Sequence, residues 1–228
     1  MNAIHSKFLF FGLLLSLHSL CFADSTAIDK VYHPYVQPLE REIELRMISA
    51  DDEQQYRLGL GSSLSDRLFV EGYLIASNNE SSLDAFELEA KYQLTEQGEY
   101  AADWGVLVEL EKDRHGDNWE LATALLMEKE WGRWVNATNL KLIYEWGDDI
   151  KAELESALAV QMRYRYSRLF EPALELYSGQ NTRALGPVIM GDVRFDAGKK
   201  LHWESGVIFG LDSKTPNSTW RFLTEFEF

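Results

Sequence analysis

The chain predicts an all-β fold, a closed antiparallel transmembrane β-barrel of about 12 strands, with 10 as the alternative. Three observations carry this. The C-terminal segment splits into an aromatic face and a charged one. From about Arg41 onward the sequence breaks into short segments of alternating polarity. And although 46% of the residues are hydrophobic, no apolar run, the N-terminal one included, is long enough to span a bilayer as a helix.

The C-terminal segment shows the pattern most clearly. Counting back in twos gives Phe228, Phe226, Thr224, Phe222 and Trp220, and between them lie Glu227, Glu225, Leu223 and Arg221. Successive strand side chains point to opposite faces, so one face is aromatic and the other mostly charged. A soluble sheet buries its aromatic face under a second layer, whereas a barrel strand in a membrane turns it toward lipid.

The N-terminus reads as an export signal. Lys7 precedes an apolar run from Phe8 to Leu17, followed by His18-Ser19-Leu20-Cys21-Phe22-Ala23, with cleavage expected after Ala23. Residues 1–23 are therefore read as the signal peptide, 24–40 as an extended N-terminal arm and 41–228 as the barrel. The lone Cys21 leaves with the signal, and Leu20, Ser19 and His18 before it make a poor lipobox. The arm contains Pro34 and Pro38 and lacks periodicity. A periplasmic position is preferred for it, with a plug entering the lumen as the alternative.

Twelve segments follow, each bounded by turn residues. The first, Glu42 to Ile48, sets Ile43, Leu45 and Met47 against Glu42, Glu44 and Arg46. The second and third are Tyr56 to Leu64 and Leu68 to Ala76. The fourth, Phe86 to Leu94, opposes Phe86, Leu88, Ala90 and Tyr92 to Glu87, Glu89, Lys91 and Gln93. The fifth is Trp104 to Glu111, the sixth Trp119 to Trp131, the seventh Trp134 to Trp146, and the eighth about Glu153 to Tyr166. The ninth, Pro172 to Tyr177, is short. Val188 to Asp196, Leu201 to Asp212 and the C-terminal segment complete the set. An even count suits a single-chain bacterial barrel. Tight connections after the second, sixth and tenth segments suggest short periplasmic turns opposite longer outer loops. Trp104, Trp119, Trp131, Trp134, Trp146, Trp203 and Trp220 fall near segment ends on the apolar phase, where a lipid–water interface favours amphipathic rings. The same tryptophans could serve the core of a soluble sandwich, but a sandwich has no need of aromatics at both ends of so many strands.

On this register the inward face is crowded with charge. The candidate pore-lining residues are Glu87, Glu89, Lys91, Glu109, Glu111, Glu153, Glu155, Arg163, Arg165, Asp192, Arg194, Glu204, Arg221 and Glu225. Two readings fit them. One is a lumen cross-braced by ion pairs. The other is a narrow hydrated pore whose negative lining favours cations or neutral polar solutes. The balance of 37 acidic to 22 basic residues excludes a nucleic-acid partner, since phosphate contacts need a basic face.

Covalent chemistry finds little support. Past the signal the chain offers His33, His115 and His202. His202-Trp203-Glu204-Ser205-Gly206 resembles a nucleophile stretch, but alternation sends His202 inward and Ser205 outward. No His/Cys cluster has metal-ligand spacing, and no cofactor, catalytic or metal site is expected. A lipid-modifying enzyme is the least favoured reading.

The aromatic C-terminal strand and the alternating segments from Arg41 onward resemble small bacterial outer-membrane β-barrels. That resemblance implies export to the outer membrane of a Gram-negative cell and contact with its lipid. It also implies handling by periplasmic chaperones and the barrel-assembly machinery. It names no solute.

Overall fold

The computed structural model describes residues 28–78, 83–148 and 150–228. The expected signal peptide and the middle of the loop after the third segment lie outside the described residues. Twelve strands form the wall: β1 (Arg41–Ala50), β2 (Glu53–Ser63), β3 (Leu68–Ser77), β4 (Leu83–Gln93), β5 (Asp103–Asp113), β6 (Trp119–Trp131), β7 (Trp134–Trp146), β8 (Glu153–Tyr164), β9 (Glu171–Ser178), β10 (Arg183–Arg194), β11 (Lys200–Gly210) and β12 (Ser218–Glu227). Each pairs antiparallel with its chain neighbour, and β1 pairs with β12 to close the barrel. Closure leaves no unpaired edge, which is the condition for standing in hydrocarbon.

Alternation decides which way each strand faces. Leu45, Leu60, Leu88, Val108, Leu140, Leu154 and Phe209 are exposed on the outside. Glu44, Glu71, Glu109, Glu128, Glu175 and Arg221, on the opposite phase, are buried. An exposed apolar exterior around a charged interior inverts the soluble pattern and suits lipid outside. Tryptophans mark the strand ends: Trp119 stacks near Trp146 with ring centroids 6.3 Å apart, and Trp134 meets Tyr164 edge-on at 4.9 Å. Gly132 opens the two-residue turn between Trp131 and Trp134 with φ of 65°, the left-handed first position that a type II′ hairpin turn needs.

Three expectations change. The eighth strand ends at Tyr164 rather than Tyr166, because the chain folds back through an isolated bridge between Ser167 and Phe170. Loop length does not distinguish the two ends. The end bearing the Gly132-Arg133 turn also carries the connection 94–102, and the opposite end has its own two-residue turn, Asp51-Asp52. The third change concerns the arm. Residues 28–36 run inside the barrel, with Ile28, Val31, Tyr32 and Val36 buried against the wall, and Gln37, Pro38 and Leu39 lie exposed before β1 begins. A wide charged lumen needs something to fill it, and this segment has the apolar side chains and the hydrogen-bonding backbone to do so.

The register makes a direct prediction. Replacing Leu88 or Val108 with Arg should cost about 2–4 kcal/mol in a lipid-refolding titration, because each sits mid-strand on the lipid side. Glu153→Arg, on the inward phase at a strand end, should cost clearly less. Equal penalties in the two classes would place the register off by one.

Candidate functional site

The lumen has two levels. In its middle the wall and the 28–36 segment form one polar network. Arg221, fully buried on β12, donates to Glu175 and Glu204 at 2.9 Å each and to the Tyr177 hydroxyl at 2.7 Å. It also reaches the backbone carbonyl of Asp29. The Asp29 carboxylate pairs with Arg46 and lies 3.9 Å from Arg57. Arg46 in turn holds Glu44 at 2.8 Å, and Arg57 holds Glu87 at 3.0 Å. Lys30 bridges Glu44 and Glu225, strands that meet at the closing seam. Three arginines from three strands thus converge on one aspartate of the inserted segment. A buried charge is tolerated when it is paired and hydrogen-bonded, and each of these is.

Further along, the segment is held by backbone as well as by charge. Asn139 accepts from the Tyr32 amide at 2.7 Å and donates to the Tyr32 carbonyl at 2.8 Å, doing for the segment what a neighbouring strand would do. The Tyr32 hydroxyl donates to Glu89 at 2.8 Å. His33 meets Glu128, the Tyr35 hydroxyl donates to Asp103 at 2.7 Å, and the Val36 amide donates to Gln93 at 2.8 Å. Gly105 faces Pro34 so closely that a Cβ there would lie 3.0 Å from the proline Cα. A side chain at that position would push the segment off the wall.

Above the segment opens a vestibule of about 840 Å³. Asp29, Lys30 and Tyr32 form its floor, and strands β4 to β8 supply most of its wall. Here the register stacks like charges. Glu87 lies opposite Glu111, Glu111 opposite Glu120, Glu120 opposite Glu145, and Glu145 opposite Glu153. Five glutamates therefore run in one row across five strands. Directly opposed like charges destabilise a sheet, so the row persists only with compensation. Arg57 supplies part of it, 3.0 Å from Glu87 and 3.9 Å from Glu111, and Lys141 pairs with Glu109 at 2.6 Å. The loop at this mouth is ordered by Asp212. Thr215 donates to its carboxylate through the hydroxyl at 2.8 Å and the amide at 3.0 Å, which holds that carboxyl below the usual range.

The residues expected along the lumen separate by height. Glu87, Glu109, Glu111, Glu153 and Glu155 border the vestibule. Glu89 is buried beneath it, on the Tyr32 hydroxyl. Glu204, Arg221 and Glu225 belong to the network in the middle. The rest lie toward the other rim: Lys91 over the Phe69 ring, Arg163 on Glu171, Arg165 forked onto Glu130, Asp192 on His202, and Arg194 exposed. Sequence reasoning missed Glu120, although it shares the phase of Glu128 and Glu130 on the same strand. It also missed Asp29, Lys30 and Tyr32, whose non-periodic segment gave no signal of an inward position. His202 takes Asp192 at 2.7 Å and Glu204 at 3.2 Å inside the barrel, whereas Ser205 lies on the outside within 3.3 Å of the Trp220 indole nitrogen. The two side chains sit on opposite faces of β11.

No protein-family model matches this chain, and no curated protein matches it. Solved structures do. A KdgM porin in complex with disordered oligogalacturonate aligns with a TM-score of 0.57 at 13% identity, covering 82% of this chain and 98% of that one. An outer membrane channel from Pseudomonas putida F1 aligns at 0.56 and 15% identity, covering 88% and 98%. The NanC porin aligns at 0.55 and 11%, covering 82% and 98%. At such identities the likeness speaks for the fold. The protein has a closed 12-stranded antiparallel barrel fold similar to that of these outer-membrane porins and channels.

Asn139→Ala leaves the buried Tyr32 amide and carbonyl without their partner and should cost about 1–3 kcal/mol. Hydrogen–deuterium exchange should then accelerate across residues 31–36 while the strand amides keep their protection. Unchanged exchange in that stretch would mean that the segment is held by its ion pairs alone.

Proposed function

We propose that this protein is an outer-membrane pore for small polar or cationic solutes, admitted through the glutamate-lined vestibule and passed without covalent chemistry. The carrying observation is the carboxylate row from Glu87 through Glu111, Glu120 and Glu145 to Glu153. Among the described residues, eight acidic and four basic side chains line the cavity. Low-dielectric walls focus such a field and raise the local cation concentration. The pore-lining role falls on Glu87, Glu109, Glu111, Glu153 and Glu155 together with Glu120 and Glu145. Lys91, Arg163, Arg165, Asp192 and Arg194 serve the opposite rim, and Glu89, Glu204, Arg221 and Glu225 brace the lumen between. One similar structure is a porin with oligogalacturonate, a polyanion. The vestibule here has the wrong sign for such a ligand, so the shared fold does not carry that preference over.

A second reading has its own support. The 28–36 segment and its ion pairs occupy the middle of the lumen, as in a braced barrel that does not conduct.

Planar-bilayer recording separates the two. The pore reading expects cation-selective steps, and joint Glu111→Gln, Glu120→Gln and Glu153→Gln changes should lower the cation-to-anion permeability ratio by about twofold or more. Silence in the wild type with conductance in a variant lacking residues 28–36 would make the segment a gate. Silence in both would leave the braced barrel. Lipid turnover abolished by replacing His115 or His202 would displace both readings in favour of an enzyme.

A further inference from the structure

At the deep end of the vestibule one carboxylate oxygen is left unanswered. Glu87 is 8% exposed, and Arg57 takes its Oε2 at 3.0 Å. Its other oxygen, Oε1, is buried and has no hydrogen-bond partner among the described residues, although Glu87 borders the cavity. A carboxylate oxygen buried to that degree ordinarily meets a donor. The register neighbour, Glu111, brings only acceptors when ionised. Arg57 is divided between these two glutamates, with Asp29 3.9 Å away, so the deep end keeps its negative charge. What it lacks is a cationic donor arriving from the cavity.

The rest of the row gives that donor a length and a shape. From Glu87 the carboxylates cross to Glu111, Glu120, Glu145 and Glu153 on successive strands. Adjacent strands stand about 4.8 Å apart, which is close to the separation of two amines joined by a three-carbon spacer. The row also climbs toward the mouth, from Glu87 with 6% of its side chain exposed to Glu111 with 27%. One step deeper on β6 and β7 the facing pair is not acidic. Ala122 there opposes Ile143, and Ile143 borders the cavity. On β5 at the same level Glu109 is already taken by Lys141 at 2.6 Å. A compact hydrated ion makes no use of an apolar ledge beside a line of carboxylates. A flexible chain of ammonium groups joined by methylenes uses both, as a lysine lays its stem on apolar surface and keeps its charge among polar groups.

Resting on the reading of the vestibule as a cation-admitting mouth, we propose that it holds a saturable site for a linear polyamine. One terminal ammonium, with three donors, sits on Glu87 Oε1 and Glu111. The remaining chain ascends past Glu120 and Glu145, with its methylenes over Ile143. Glu87 supplies the anchoring contact, and the other glutamates supply the field that holds the distal charges.

Isothermal titration calorimetry on the full chain folded in an uncharged detergent tests this, with spermidine chloride as the probe. The detergent removes anionic lipid as a competing binder. Saturable one-to-one binding is expected, about tenfold or more tighter than for propylamine, which offers one ammonium, or for calcium chloride, which offers no carbon. Glu87→Gln should weaken the affinity about tenfold or more, because it removes the charge and places an amide at the anchoring position. Glu111→Gln serves if that variant does not fold. Asp66→Asn, in the exposed turn between β2 and β3 at the opposite end, should leave the affinity as in the wild type. Absence of binding overturns the proposal, as does calcium bound as tightly as spermidine or an affinity retained in the glutamate variants. The pore reading fails separately. Spermidine bound by a barrel that passes no current in planar bilayers would keep the site and end the pore, and cation-selective current without spermidine binding would end the site and keep the pore.

Discussion

Everything in this molecule depends on joining β1 to β12. The two strands are separated by most of the chain, yet every residue from Glu42 to Ala50 finds a partner between Thr219 and Glu227. Until that pairing forms, both edges present unsatisfied backbone groups, which hydrocarbon does not tolerate. The pairing also fixes which side of every strand is inside, because side chains alternate and a slip of one residue would turn the glutamates to lipid. Closure carries an electrostatic cost as well, since Glu42 meets Glu227 and Glu44 meets Glu225 on the inner face. Lys30, from a segment that belongs to no strand, answers half of that cost by reaching Glu44 and Glu225.

Twelve strands enclose more space than apolar side chains alone can fill, and the inward positions here are dominated by charge. The solution is hierarchical. The wall first pairs with itself: Arg46 with Glu44, Arg57 with Glu87, and Arg221 with Glu175 and Glu204. The inserted segment then adds a second partner, as Asp29 meets Arg46 and Arg57 while its carbonyl meets Arg221. Tyr73 and Tyr177 link the two layers. Each donates to a glutamate at 2.7 Å, Glu71 and Glu175 respectively, and each is approached by an arginine, Arg46 at 3.3 Å and Arg221 at 2.7 Å. Phenols suit this role because one hydroxyl can donate and accept at once.

The wall was legible because one simple rule governs it. Period-2 alternation between lipid and lumen left Glu87, Glu89 and Lys91 on one phase and Leu88, Ala90 and Tyr92 on the other, and the sixth and seventh strands have the bounds their tryptophans marked. The interior was less legible. Alternation states that a side chain points inward, but not how high it sits or what it meets. Glu111 and Arg163 therefore looked alike in sequence, yet one borders the vestibule and the other pairs with Glu171 toward the opposite rim. Residues 28–36 were misplaced for a related reason. Without periodicity a segment shows no orientation, and Asp29 and Lys30 gain theirs from arginines and glutamates far away in the chain. Carboxylate clusters built from both chain ends are hidden in the same way, since no local spacing announces them.

Whether the segment is an obligatory core or a removable insert follows from what it would leave behind. Asp29 and Lys30 carry opposite charges, so withdrawal changes the lumen's net charge little. Each arginine it touches keeps a carboxylate of the wall, so none would be stranded in the low-dielectric interior, the event that makes breaking a buried pair expensive. What withdrawal does sacrifice is local: the Asn139 contacts to Tyr32, and the packing of Ile28 and Val31 against Ala137, Tyr177 and Val188. To these apolar and neutral terms are added the ion pairs of Lys30 with Glu44 and Glu225 and the His33–Glu128 contact, so withdrawal also removes the cation that faces Glu225. The wall therefore pairs its own arginines without the insert but takes from Lys30 the cation that faces Glu44 and Glu225 at the closing seam, so the insert is tied electrostatically to closure and only loosely to the rest of the lumen.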